Sequence, residues 1–287
     1  MVARVTVLPD EPEPREDLRQ RTARFLRRWH LRTDGAARSG TSSLVTPVTA
    51  PDGTVAALKV QHLDAECAGE ATALRAWSGD GAVRLLRDDP PTATLLLERL
   101  DATRPLTTLP DPRDAVTVLA TLLTRLTSRP APPGLRHLGD IAHGMLERTS
   151  WALRAEPDPA VRALLRDCAA ALREVADEPG DRLLHWDLHY GNVLAADRAP
   201  WLAIDPKPLS GDPGFELLPA LANRYDPADT LHRFDALTAT LALDRERARA
   251  WTLARVLQNR LWQLTDPTAP HPVPDPRLEV GAALRHR

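Results

Sequence analysis

Leu184-His185-Trp186-Asp187-Leu188-His189-Tyr190-Gly191-Asn192, followed a few residues later by Trp201-Leu202-Ala203-Ile204-Asp205-Pro206, is the stretch on which the reading of this chain turns. It sets out Asp187, Asn192 and Asp205 in order. A carboxylate at Asp187 can accept a proton from a hydroxyl. Asn192 and Asp205 offer hard oxygen donors of the kind that hold magnesium. Residues 192–196 and 201–204 read as two strands, and Asp197-Arg198-Ala199-Pro200 as the hairpin connection between them. The hairpin returns the chain to its start, so Asp205 is expected on the Asn192 side. Asp205 also ends an apolar run, where a carboxylate without a partner is costly.

His-Trp-Asp-Leu-x-x-x-Asn has the spacing of the kinase catalytic loop, H-R-D-L-x-x-x-N, with a metal-binding Asp after a short hairpin. In that arrangement Asp187 is the base that aligns the acceptor hydroxyl, and Asn192 and Asp205 hold Mg2+ on the phosphates of ATP. Asp205-Pro206-Lys207 replaces Asp-Phe-Gly. His185 and His189 allow a rival metallohydrolase reading, but further ligands at close spacing and a His-Glu-x-x-His motif are absent. His185 is expected to brace the loop by hydrogen bonds and His189 to lie at the cleft rim. Neither a P-loop nor a G-x-G-x-x-G dinucleotide motif occurs.

The chain has 287 residues, is 43% hydrophobic and carries a net charge of -2, which suits a globular protein and does not suggest a nucleic-acid partner. The two cysteines, Cys67 and Cys168, give no disulfide framework. No signal peptide or membrane-length apolar run is apparent, so a cytoplasmic protein without a membrane or obligatory protein partner is expected. Lys59 and Lys207 are the only lysines among 37 basic residues. Lys59 ends the run Val55-Ala56-Ala57-Leu58, and its compact charge suits phosphate.

Hydrophobic periodicity predicts a helix over 16–30, strands over 43–49 and 54–61 around the turn Pro51-Asp52-Gly53, a helix over 64–77, and strands over 82–87 and 92–100. Helices are expected over 111–128, 137–155, 159–177, 213–223, 230–241 and 244–264, with the Pro-rich segment 266–276 ending the packed core. The implied fold class is α+β, a protein-kinase-like bilobal fold with a small five-stranded N-lobe and a mostly helical C-lobe. The expected division is a loose N-terminus over 1–14, an N-lobe over 15–100 and a C-lobe over 101–287. Glu70 is expected to pair with Lys59, with Glu66 as competitor on nearly the same helix face. Arg38-Ser39-Gly40-Thr41-Ser42-Ser43 occupies the place of a phosphate-covering loop, with Ser39 and Gly40 as its candidate contacts. Glu98 and Leu100 offer a backbone carbonyl and N–H to adenine where the lobes join. Asp212, in Gly211-Asp212-Pro213-Gly214-Phe215-Glu216, is expected to hold the catalytic loop through backbone N–H groups. The short connection from Asp205 to this segment leaves no room for a phosphorylation-controlled loop and predicts constitutive action on a small molecule.

Together with Leu95-Leu96-Leu97-Glu98-Arg99-Leu100 and Leu257-Gln258-Asn259, these motifs resemble the aminoglycoside phosphotransferase family over roughly positions 25–265, most of all its streptomycin 6-kinase and hydroxyurea kinase branch. The resemblance implies ATP- and Mg2+-dependent phosphorylation of a streptidine hydroxyl, which inactivates streptomycin. Streptidine carries two guanidinium groups, which favour carboxylates and aromatic faces. Glu216, Gln258, Asn259 and Trp262 are the candidate acceptor residues. A kinase for hydroxyurea or another metabolite, and a nucleotide-binding pseudokinase, are the alternatives.

Overall fold

The computed structural model describes residues 17–40, 42–266 and 274–285. The expected loose N-terminus, and Thr41 within the expected phosphate loop, lie outside them. The chain groups into two compact units, one of residues up to 62 with 87–97, the other of 63–86 with 98–287.

The first unit sets helix α1 (Leu18–Arg28) against a sheet of β1 (Arg32–Thr33), β2 (Arg38–Ser39), β3 (Ser43–Thr49), β4 (Val55–Gln61), β5 (Leu85–Asp89) and β6 (Thr94–Glu98). The order is β1-β3-β4-β6-β5, with β2 also paired to β3. The sheet therefore has six strands where five were expected, because β1 and β2 are two residues long and too short to show an alternating pattern. The turn at Gly53, with φ 88°, joins β3 to β4 and sets a register that places Lys59 opposite Val45. Side chains alternate across a strand. Ala56, Leu58 and Val60 enter the core with Phe25 of α1 and Trp29 just after it. Lys59 therefore lies on the opposite face of the sheet, itself only 3% exposed.

In the second unit, α2 (Glu70–Trp77) begins at Glu70 and not at 64. Asp64 turns the chain first: its Oδ1 accepts from the N–H groups of Glu66 and Cys67, each at 2.8 Å. Glu66 therefore lies in a turn, which overturns its expected place on the helix. Trp77 Nε1 donates to Leu126 O (2.9 Å), and Ala203 N donates to Gly81 O (2.9 Å). These bonds group residues 63–86 with the second unit, whereas the sequence reading put them in the lobe spanning 15–100.

The rest of this unit comprises β7 (Asp101–Pro105), α3 (Pro112–Leu126), β8 (Arg136–His137), α4 (Leu138–Ala155), α5 (Pro159–Val175), β9 (Arg182–Leu184), β10 (Val193–Ala195), β11 (Trp201–Ala203), β12 (Leu209–Gly211), α6 (Leu217–Ala222), α7 (Thr230–Thr240), α8 (Arg245–Thr265) and α9 (Pro276–Leu284). Asp caps followed by Pro at the first helical position start α3, α5 and α9, the arrangement that satisfies open N–H groups without wasting a donor. Helix α9 corrects the expectation that the core ends near 276: Val280 and Leu284 are fully buried. A Cβ on Gly214 would lie 2.9 Å from Ala248 Cα, so α8 crosses the 213–216 turn at a distance only glycine allows. Among the described residues, no helix is long and apolar enough to cross a membrane.

Candidate active site

Two short antiparallel ladders aim the key residues at one place. Leu184 of β9 pairs with Leu209 of β12, and Val193 of β10 pairs with Ala203 of β11. Segments 185–192 and 204–208 therefore run between the same two ladders. Main-chain bonds tie them together: Ile204 N donates to Asn192 O and Lys207 N to His185 O, both at 2.9 Å. Trp186 and Asp205 have left-handed backbone, φ 65° and 57°, a conformation that a non-glycine residue holds only when its surroundings impose it.

Asn192 Nδ2 donates to Asp187 O (2.9 Å) and Asp187 Oδ2 (3.4 Å), so its amide oxygen Oδ1 is the atom left for a cation. Burial pushes the Asp187 carboxyl up from the usual carboxylate range, and Asp205 adds to the rise. His189, Arg255 and Lys207 pull it down. The structure thus brings Asp187, Asn192 and Asp205 together as the spacing implied. An Asp and an Asn suit magnesium, which keeps water and phosphate oxygens in most of its shell. Among the described residues, no group of three His, Cys, Asp or Glu could hold a metal alone.

His185 braces the loop. Its Nε2 meets Ile204 O at 3.0 Å, its Nδ1 accepts from Asp187 N at 3.3 Å, and its ring stacks on Trp77. Those bonds fix the neutral tautomer, and burial pushes its pKa down to about 4. Both nitrogens are used, so the metallohydrolase reading loses this ligand. His189 lines the cavity at Asp187, and its Nδ1 accepts from Gly191 N at 3.0 Å.

The expected roles of Glu216 and Asp212 are corrected. Glu216, a candidate for the acceptor, is completely buried. Its Oε1 accepts from the N–H groups of His185 and Trp186. Burial raises its carboxyl to about 7 against the pull of those two amides. Asp212, expected beneath the loop, caps the 213–216 turn through Gly214 N (2.7 Å) and pairs with Arg247 (2.6 Å). Glu216 lies on the apolar side of that turn and reaches the loop, whereas Asp212 faces α8.

Sequence reasoning missed Arg255. It is buried on α8, donates to Trp186 O (3.1 Å) and Gln258 Oε1 (2.9 Å), and lies 4.9 Å from the Trp186 ring centre. Arg136 lies 4.2 Å from the same centre. The sequence signal was an Arg inside the apolar run Leu253-Ala254-Arg255-Val256-Leu257, where a charge must find partners. Of the remaining acceptor candidates, Gln258 is buried and engaged by Arg255, which removes it from direct contact with an acceptor. Trp262 is 37% exposed and stacks on Trp186, with ring centres 5.9 Å apart. Asn259 lines a cavity of about 260 Å³ with Asp187, His189, Asn223, Arg255 and Arg277.

The expected nucleotide residues fall in both units. Ser39 and Gly40 are exposed, and Gly40 N donates to Ser43 O (2.8 Å). Glu70 is buried at the first turn of α2. The Glu98 carboxylate is held by Arg198 (2.8 Å), which also donates to Gly79 O and Ala82 O. Leu100 O accepts from Ala102 N (3.1 Å).

A protein-kinase-like α+β fold with this loop defines a phosphotransferase. The sequence model of the aminoglycoside/hydroxyurea antibiotic resistance kinase family matches residues 28–266. The chain is 62% identical to a hydroxyurea phosphotransferase of Kitasatospora aureofaciens, covering 88% of this chain and 74% of that protein. It is 56% identical to a streptomycin 6-kinase of Streptomyces glaucescens, covering 85% and 82%. In structure it resembles a thermostable mutant of an aminoglycoside phosphotransferase solved with ADP and hygromycin B, at a TM-score of 0.62 and 16% identity over 92% of this chain and 97% of that one. The chain belongs to the aminoglycoside/hydroxyurea antibiotic resistance kinase family.

Proposed function

We propose that the protein transfers the γ-phosphoryl group of ATP to a hydroxyl of streptomycin, the streptidine 6-hydroxyl, and so inactivates the drug in the cytoplasm. The observation that carries this reading is the Asp187–Asn192–Asp205 arrangement in a chain 56% identical to a streptomycin 6-kinase. Asp187 takes the acceptor proton: burial raises its carboxyl and so makes the carboxylate a stronger base, while the charges of His189, Arg255 and Lys207 favour the ionised form it needs for that task. Asn192 Oδ1 and Asp205 would hold Mg2+, which when bound neutralises phosphate charge. Lys59, Glu70, Ser39, Gly40 and the main chain at Glu98 and Leu100 are the nucleotide-binding residues in this reading. Asn259 and the exposed face of Trp262 serve the acceptor, for which a guanidinium on an indole face is a favourable contact.

Hydroxyurea is the second reading, favoured by the 62% identity to a hydroxyurea phosphotransferase. Incubating the enzyme with Mg-ATP and either compound, followed by mass spectrometry, separates the two. A gain of one phosphoryl group on streptomycin, placed by NMR on the 6-hydroxyl, is the expected result. Phosphorylation of hydroxyurea alone would transfer the assignment to the second reading.

A further inference from the structure

Lys207 is one of two lysines in a chain that otherwise uses arginine for positive charge, and the assignments above give it no task. Its main chain is clamped beside the catalytic loop: its N–H donates to His185 O (2.9 Å) and its carbonyl accepts from Arg136 Nη2 (3.4 Å). Pro206 narrows the backbone on its other side. The side chain is half-buried. Its bonds are made by the main chain and none by the ammonium, among the described residues. The charge nevertheless reaches Asp187, His185 and Asp64. Asp64 already spends Oδ1 on two turn amides. An ammonium that no described group hydrogen-bonds, on a residue whose main chain is bonded to the catalytic loop at His185, is available to an anion that arrives with substrate.

We propose that Lys207 is a further catalytic residue, whose ammonium meets the phosphoryl group as it passes to the oxygen aligned by Asp187. In that step the acceptor hydroxyl gives its proton to Asp187, and its oxygen forms the new bond to phosphorus. The bond from phosphorus to the β,γ-bridging oxygen breaks, and its electron pair leaves with ADP. Lys207 keeps its protons and donates hydrogen bonds to the non-bridging oxygens, where charge must be stabilised during transfer. A compact ammonium serves this better than a guanidinium fork. The inference rests on the phosphoryl-transfer part of the proposed function and not on the identity of the acceptor.

The test is K207A, with K207R and the double variant D64N/K207A. We expect kcat of K207A to fall about 10²-fold, the scale of losing one charge-stabilising donor, with KM for ATP and acceptor within about threefold and an unchanged melting temperature. K207R should recover part of the loss, and D64N/K207A none of it. Slow transfer from ATP to water, followed without any acceptor, should show the same loss. If wild type hydrolyses ATP in a Lys207-dependent way but leaves streptomycin unmodified, the acceptor assignment fails and this inference stands. A K207A enzyme with kcat within threefold of wild type in both assays overturns the inference. So does restoration by D64N, which would make Lys207 only a counter-charge, and so does a wild type that transfers phosphate to nothing.

Discussion

Trp186 divides the second unit into two neighbourhoods that contain the same kinds of polar residue put to different uses. On one side Asp187, Asn259 and Asn223 open onto a cavity. On the other, Glu216 is sealed in and spends its carboxylate on the loop itself, taking the N–H groups of His185 and Trp186, while Arg255, which borders the cavity, donates to Trp186 O. The Trp186 peptide is thus gripped at both ends and held at φ 65°. The difference teaches that a carboxylate facing an open cavity is left available for chemistry, whereas one that the backbone consumes is scaffolding. Enzyme sites need both, because a base is useful only when its position is fixed.

Removing the open carboxylate should have the largest effect. Asp187→Ala is expected to reduce kcat by roughly 10³–10⁴, the upper part of the range for a general base, with ATP affinity and melting temperature preserved. Turnover within tenfold of wild type would sink the assignment of the base. The sealed carboxylate should give a mixed effect. Glu216→Ala strips the acceptor from two buried amides, each worth about 1–3 kcal/mol when left unpaired. It should lower the melting temperature and also reduce kcat about 10²-fold, as expected when a catalytic group is misplaced by about 1 Å. A stable variant with altered acceptor KM and normal kcat would return Glu216 to the acceptor site.

The third comparison uses pH. The Glu216 carboxyl sits at about 7 in the folded protein against an ordinary value of 4.5. Between those values the folded state holds a proton that the unfolded chain has lost, so this group makes stability fall as pH rises, by up to about 1.4 kcal/mol per pH unit. Above about 7 the penalty of the buried charge is complete, and below about 4.5 it is gone. Subtracting the stability curve of Glu216→Gln from that of wild type should expose this downward slope. A flat difference, or one rising with pH, would show that the carboxyl is not held in its neutral form.

The smallest effect is expected at Asp212, four residues away on the same turn. Asp212→Ala removes a cap and a partner of Arg247, worth roughly 1–2 kcal/mol. Its kcat should remain within about threefold of wild type, because Asp212 makes no bond to the catalytic loop. A kcat loss as large as that of Glu216→Ala would erase the contrast between the two acids.

The amino-acid sequence by itself determined the order and local spacing of Asp187, Asn192 and Asp205, the hairpin between Asn192 and Asp205, and nearly every long helix of the second unit. Those features depend on separations of a few residues, where alternation, helical period and capping act without help from distant chain. It also carried the Asp275-Pro276 cap of α9, although the Pro-rich approach to it masked the helix. Only the tertiary structure decided which of Asp212 and Glu216 meets the loop, where α2 begins, that Arg255 lies against Trp186, and that residues 63–86 pack with the second unit. The reason is that burial depends on what arrives from elsewhere in the chain: α8, crossing at Gly214, seals one acid and pairs with the other, and four residues of local sequence do not show which.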